Sequence, residues 1–301
     1  MTVLGPKTQI AGRYELVDRL DTGALGDLWR AHDVKLARPV ALKLVRPELA
    51  ANPTFRAGFR DEARAWAAVC DPGSALVYDF GEEPDRAGGP PVVYLVVELV
   101  EGRSLDRVLA GSGPLSPMEV MDVVAQAAST LHAAHGRALV HGNVKSSNLI
   151  LRTDGVLKVT DFAIARAFGG VPLADAAVDL DSAAFRSPEQ AAGGPATVAS
   201  DIYSLGIVAH HCLAGELPFP AVGPVAAAVE HLTEHPRPLP SSVPESVATL
   251  VGRMLAKDPS DRPADAGDLA RSAVGICRRL GRRTARPPRD LLGWEGARLV
   301  G

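Results

Sequence analysis

The run HGNVKSSN, from His141 to Asn148, is the stretch from which the rest of the chain is read. Eighteen residues after Asn143 a second polar element begins, the DFA run at Asp161. Asn148 and Asp161 are oxygen donors of the kind Mg²⁺ accepts beside carbonyl, water and phosphate oxygens. Lys145 adds a cation to the same run, three residues before Asn148. Upstream, LDTGALGDLW carries Gly23 and Gly26 between two strand-like runs, where glycines let backbone amides approach phosphate oxygens, although a plain hairpin turn explains them equally well. Seventeen residues after Gly26 comes Lys43 in VALK, on a strand that alternates toward a core, and nineteen further on is Glu62. Phe55, Phe59, Trp66 and Val69 recur at helical spacing, and Glu62 lies on that apolar stripe. An isolated acid there would reach around the helix edge to solvent. With Lys43 available, each charge explains the other, because the pair can neutralise itself and aim the lysine at a phosphate.

Downstream, Ser116, Pro117 and Glu119 supply a cap, a first-turn proline and a capping-box acid ahead of Val120, Val124, Ala128 and Leu131. The segment from Val198 to Ala214 is apolar nearly all round apart from Asp201, the pattern of a buried central helix. Further polar elements are SPE at 187–189, SDIYSLG from Ser200 and KDPSDRP from Lys257. The first part of the chain reads as strands (Tyr14 to Leu20, Leu28 to His32, Val40 to Val45, Leu76 to Gly81, Val92 to Leu99) with one helix, and the part from about residue 104 reads as helices. The two are expected to meet near residues 98–103.

The chain has 301 residues, 47% hydrophobic and 22% charged, enough for a sizeable core. A net charge of −3 gives no general attraction to nucleic acid or anionic membranes. Cys70, Cys212 and Cys277 are scattered and odd in number, which suggests neither a disulfide framework nor a zinc site. No basic segment precedes an apolar run at the start, and no run of about 18 apolar residues occurs, so neither a signal peptide nor a membrane span is expected and the cytoplasm is the simplest compartment. Arg278, Arg279, Arg282, Arg283, Arg286 and Arg289 fall in a Pro-containing tail that reads as a solvated linker or a docking segment.

Taken in order and spacing, the elements from Gly23 to Arg262 resemble the catalytic domain of bacterial eukaryotic-like Ser/Thr protein kinases over about residues 13–275. The resemblance implies an α+β, two-lobed fold: an N-terminal extension (1–12), a β-rich N-lobe (13–100), a helical C-lobe (101–275) and an Arg/Pro-rich tail (276–301). It implies ATP and Mg as cofactors, with Gly23, Gly26, Leu28, Ala41, Lys43, Glu62, Glu98, Val100 and Ile150 around the nucleotide and Asn148 and Asp161 on the metal. Val97 falls at the gatekeeper position. Trp66, His141 and Phe162 fall where the family stacks a regulatory spine, Glu189 where it pairs with a buried arginine, here Arg262, and Asp201 where it anchors the catalytic loop.

The chain also departs from that pattern. Asn143 stands where the family has its catalytic aspartate, two residues before Lys145, and an amide can hold a hydroxyl but cannot serve as a base. Gly142 replaces an arginine that in many kinases binds a phosphorylated loop. Asp21 stands at the first glycine of the phosphate loop, Ala163 at the glycine of DFG, and Asp181 and Ser182 where the family has Gly and Thr. The resemblance thus implies a pseudokinase that binds Mg·ATP, more weakly than an intact site, and engages an unidentified protein partner such as an active kinase or a regulatory protein. A slow Ser/Thr kinase acting on itself or a partner is the alternative. A small-molecule phosphotransferase matches only His141, Gly142 and Asn148, and SPE, SDIYSLG and DRP count against it.

Overall fold

The computed structural model describes residues 5–85, 88–162, 180–220 and 223–281. Ala163, the side chain of Asp181 and the tail arginines from Arg282 onward lie outside the described residues.

The first lobe is a six-stranded antiparallel sheet in the order β1 (Gln9–Ile10), β2 (Tyr14–Thr22), β3 (Gly26–Asp33), β4 (Arg38–Val45), then β6 (Val92–Val97) and β5 (Val77–Glu83) at the far edge. Side chains alternate between its faces. Leu16, Trp29, Leu42, Leu44 and Val96 pack on one side with Tyr14 and Tyr94. On the other, Ala41, Val45, Val93, Leu95 and Val97 pack toward the helices and the second lobe. The same alternation puts Lys43, between Ala41 and Val45, on that second face. Residues 9–10, expected to precede the fold, instead form an edge strand paired with Tyr14 and Glu15.

A one-turn helix, α1 (Pro47–Ala50), leads to α2 (Pro53–Ala67). Asn52 caps α2 by accepting hydrogen bonds from the amides of Thr54 (2.9 Å) and Phe55 (3.3 Å), and Pro53 fits the first turn, where no amide is needed. Its stripe of Phe55, Phe59, Ala63 and Trp66 is buried against the sheet.

The second lobe starts with β7 (Gly102–Ser104) and α3 (Leu105–Ser112), followed by α4 (Pro117–His135), which opens on the capping box of Ser116 and Glu119. Strands β8 (Leu149–Arg152) and β9 (Leu157–Val159) pair antiparallel with Leu149 opposite Val159. That register brings Asn148, just before β8, next to Thr160, just after β9, whose amide donates to the Asn148 carbonyl at 2.9 Å. The turn between the strands thereby sets Asn148 and Asp161 side by side. After the short α5 (Leu180–Ala183) and α6 (Pro188–Ala191) comes α7 (Val198–Ala214), buried nearly all round as its composition predicts and ended by Gly215 at φ 77°. Helices α8 (Pro224–Thr233), α9 (Glu245–Met254) and α10 (Ala266–Gly281) complete the lobe. Gly206 on α7 is required, since a Cβ there would lie 2.9 Å from the Cβ of Met254 on α9. The predicted boundary at residue 276 falls inside α10, because Leu269, Ala273 and Ile276 bury a stripe that Leu280 continues.

Arg262 fastens the start of α6 to α7. Its Nη1 and Nη2 each lie 2.9 Å from a Glu189 carboxylate oxygen, and its remaining N–H groups donate to the carbonyls of Ala199, Ala256 and Lys257. Burial pushes the Glu189 carboxyl up, but hydrogen bonds from Arg262 and Ser200 outweigh it and hold the group at about 2. A carboxylate held below its ordinary value of 4.5 adds stability above that pH and loses it as pH falls from 4.5 toward 2. Urea unfolding should therefore show Arg262→Met destabilised by about 3 kcal/mol, the cost of leaving one partner of such a pair behind. The variant should also lose part of the wild-type dependence on pH in that acid range.

Candidate nucleotide cleft

A cleft of about 1040 Å³ opens between the lobes. The hairpin from Leu20 to Leu28 with Ala41, Lys43 and Val97 lines its upper side, Glu98 and Val100 its back, and Asn143, Lys145, Asn148, Ile150 and Asp161 its floor. Every residue named from the sequence for nucleotide or metal is thus gathered here except Glu62, which is half-buried on α2 and lies outside the lining.

At the deep end, Lys43 Nζ lies 2.5 Å from Asp161 Oδ2. Asp161 takes a left-handed backbone (φ 65°), which Asp tolerates better than most residues. Asn148 Nδ2 donates to the Asn143 carbonyl at 2.9 Å, which leaves the amide oxygen, the end a cation accepts, without a partner among the described residues. Among those residues no group of three His, Cys, Asp or Glu side chains forms a protein-only metal site. Two oxygen ligands beside a lysine fit a cation that shares its shell with phosphates and water, as Mg²⁺ does.

The glycine hairpin is closed on itself. The Gly23 amide donates to the Gly26 carbonyl at 2.9 Å, and the Gly26 amide to the Gly23 carbonyl at 3.2 Å. Ala24 and Leu25 at the tip keep amides without partners among the described residues. The glycines therefore make the turn. Asp21 lines the cleft and accepts from the Thr22 amide at 2.9 Å.

Below, the floor loop hangs on Asp201 of α7. Its carboxylate accepts from the His141 amide (2.8 Å), the Gly142 amide (2.7 Å) and His135 Nε2 (2.8 Å). His141 is fully buried and spans two contacts: Nε2 donates to the Thr160 carbonyl at 2.9 Å while Nδ1 accepts from the Asn143 amide at 3.2 Å. Those roles require the neutral ring, and burial lowers its proton affinity. His141 packs on Phe162 at 4.6 Å between ring centres, and Phe162 on Trp66 at 6.0 Å, the stack the sequence pointed to.

Three contacts of this region escaped sequence reading. Glu98 turns its side chain out of the cleft to Lys158 Nζ at 2.9 Å, so that its backbone is what it offers a ligand. Gln190 donates to the Gly142 carbonyl at 3.1 Å, tying α6 to the floor loop. Its place three residues after Ser187, where a capping box wants Gln or Glu, was the available signal for the helix start though not for the long-range bond. The third is Arg46, whose side chain donates to the Gly23 carbonyl.

The protein kinase domain model matches residues 14–273. The chain belongs to the protein kinase domain family. Serine/threonine-protein kinase PknA of Mycobacterium tuberculosis is 38% identical over 278 residues, covering 92% of this chain and 64% of PknA. PknB of the same organism is 36% identical over 274 residues, covering 89% of this chain and 44% of PknB. This kinase domain chain thus spans less than two thirds of the length of these curated relatives. The crystal structure of the M. tuberculosis PknI kinase domain superposes with a TM-score of 0.70 at 25% identity, covering 91% of this chain and 99% of that one. The two-lobed kinase fold is therefore the fold of this chain. No helix among the described residues is long and apolar enough to cross a membrane.

Gly142 sits at φ 71°, and a Cβ there would lie 3.3 Å from the Ala196 side chain. Any side chain at this position carries backbone strain, so Gly142→Ala should destabilise the kinase domain by about 1–2 kcal/mol in chemical unfolding. His141, held neutral, binds no proton over a range in which the unfolded chain does. Stability should fall as pH drops below the ordinary histidine value of 6.5, and a His141→Phe variant, while weaker overall, should lose part of that dependence in unfolding curves taken between about pH 7.5 and 5.5, the rest staying with His231, which burial also holds neutral.

Proposed function

We propose that this kinase domain binds Mg·ATP, transfers phosphate little or not at all, and uses the lobe arrangement set by nucleotide to engage a protein partner. The observation that carries the reading is the pairing of Lys43 with Asp161 beside Asn148 at one end of the cleft, while the floor position facing a substrate hydroxyl holds Asn143. Leu28, Ala41, Val97 and Ile150 line an apolar slot for a base, and the backbone of Glu98 and Val100 borders it. The amides of Ala24 and Leu25 and the ammonium of Lys43 receive phosphate oxygens. In a loaded cleft Asp161 would hold the cation, and Glu62, half-buried on α2, would be the acid that orients Lys43. Bound Mg²⁺ supplies charge neutralisation at the phosphates, with Asn148 and Asp161 as its protein ligands. Asp21, at the mouth of the hairpin, sets a negative charge beside this path and weakens it.

Asn143 has no proton-accepting charge, and loss of general-base help slows transfer by roughly 10²- to 10⁴-fold. Lys145, also on the floor, still offers a cation to the transferred group. One observation favours a second reading, a slow kinase acting on itself or on one partner: the floor loop is fully anchored by Asp201, Gln190 and the Trp66–Phe162–His141 stack.

Mg·ATP at 100 times its Kd should stabilise the protein by about 2.7 kcal/mol in thermal unfolding, and the gain should vanish in Asp161→Ala without loss of fold. In a radiolabelled ATP assay the wild type should show trace transfer or none. Transfer that rises in Asn143→Asp and disappears in Asp161→Ala would establish the slow kinase instead. No stabilisation at millimolar Mg·ATP would overturn nucleotide binding altogether.

A further inference from the structure

The hairpin over the cleft is held from behind by a side chain that does not line it. Arg46, directly after β4, donates both Nε (3.1 Å) and Nη2 (2.9 Å) to the Gly23 carbonyl, and its backbone amide donates to the Leu25 carbonyl at 2.9 Å. These bonds fasten the tip to the strand that carries Lys43, three residues upstream. The fit is close: a Cβ on Gly26 would lie 1.8 Å from the Leu44 carbonyl oxygen and 3.0 Å from the Arg46 nitrogen. The remaining hairpin bonds, Gly23 with Gly26 and Thr22 Oγ1 with Asp27, are internal. They fix the shape of the turn but leave its height above Lys43 open, and only the bonds from Arg46 and the strand pairing address that.

A half-buried guanidinium spending two donors on one carbonyl is an arrangement that orients a backbone rather than balancing a charge. A four-residue tip with glycine at both ends is otherwise among the loosest segments the chain could form, and ordering it would fall on the ligand. Arg46 also begins the next element: its carbonyl accepts from the Ala50 amide, the first bond of the α1 turn that leads to α2 and Glu62.

We propose that Arg46 is a positioning residue that pre-sets the hairpin over Lys43, so that the Ala24 and Leu25 amides stand ready for the phosphate end of a nucleotide. It thereby governs affinity for a nucleoside triphosphate and not for the nucleoside. This inference rests on the nucleotide-binding reading above.

Calorimetric titrations of the full chain with Mg·ATP, Mg·ADP and adenosine test it in wild type, Arg46→Met and Arg46→Lys, with hydrogen exchange at the bonded Gly26 and Arg46 amides followed in ligand-free protein. Arg46→Met should bind Mg·ATP roughly tenfold more weakly or worse and Mg·ADP less affected, with adenosine within about twofold of wild type, as loss of one charged hydrogen-bond pair acting at the phosphates requires. Exchange at the bonded amides of the tip, Gly26 and Arg46, should speed up in Arg46→Met, and Arg46→Lys should recover part of both effects. Equal weakening of Mg·ATP and adenosine would overturn the proposal and leave Arg46 a purely structural residue. Unchanged Mg·ATP affinity in Arg46→Met despite faster exchange would overturn it too, and if that variant does not fold, unchanged affinity in Arg46→Lys with faster exchange does the same. A wild type that binds neither nucleotide nor adenosine would overturn the nucleotide-binding reading along with it, whereas the preceding outcomes leave that reading standing.

Discussion

The cleft depends on one buried carboxylate. Asp201 is 1% exposed, on a helix whose other side chains are almost all in the core. A charge there is tolerable only if its oxygens are satisfied, and the amides of His141 and Gly142 and the ring of His135 satisfy them. The consequence runs outward. With two consecutive amides aimed at one group, the loop turns sharply, Gly142 takes a positive φ, and His141 points up into Phe162. Phe162 in turn meets Trp66 of α2, so a single desolvated acid in the second lobe fixes the stack that reaches the first.

Much of this was legible in the sequence because it rests on short-range patterns. The alternation of Ala41, Lys43 and Val45 put the lysine on a core-facing side of the sheet, the cap at Ser116 started α4, and the nearly all-apolar run from Val198 to Ala214 marked α7 as a buried helix. The Glu189–Arg262 pair and the Asp201 anchor followed from the resemblance and are present with the expected partners. Contacts set by how two distant segments happen to lie were not legible. Arg46 directly follows the strand read from Val40 to Val45, and nothing local says its guanidinium reaches back 23 residues to Gly23. Lys158 lies in a part of the chain read as helices and carries no local signal, though its ammonium meets Glu98 across 60 residues. The edge strand at Gln9–Ile10 was missed because two residues are too few for a period to show.

Lys43 shows why charge partners are harder to read than faces. The sequence reading pairs Lys43 with Glu62, and a strand and a helix face alone cannot say whether another acid lies nearer. The structure puts Asp161 at 2.5 Å, through the β8–β9 turn rather than through α2. That choice is itself informative about the cleft. Lys43 and Asp161 close on one another at the deep end of the cleft, so the placing of each depends on the other.

Asn143 takes part in the floor loop entirely through its backbone: its amide donates to His141 Nδ1 and its carbonyl accepts from Asn148. The side chain is therefore free of any duty in holding the loop together. The same holds for Gly142, whose amide serves Asp201 and whose carbonyl serves Gln190. An architecture that fixes the loop through main-chain atoms separates the stability of the cleft from the chemistry of the Asn143 side chain. Asparagine can therefore stand at position 143 without loosening a single one of these anchoring bonds, and the loop keeps its shape whatever chemistry that side chain supports.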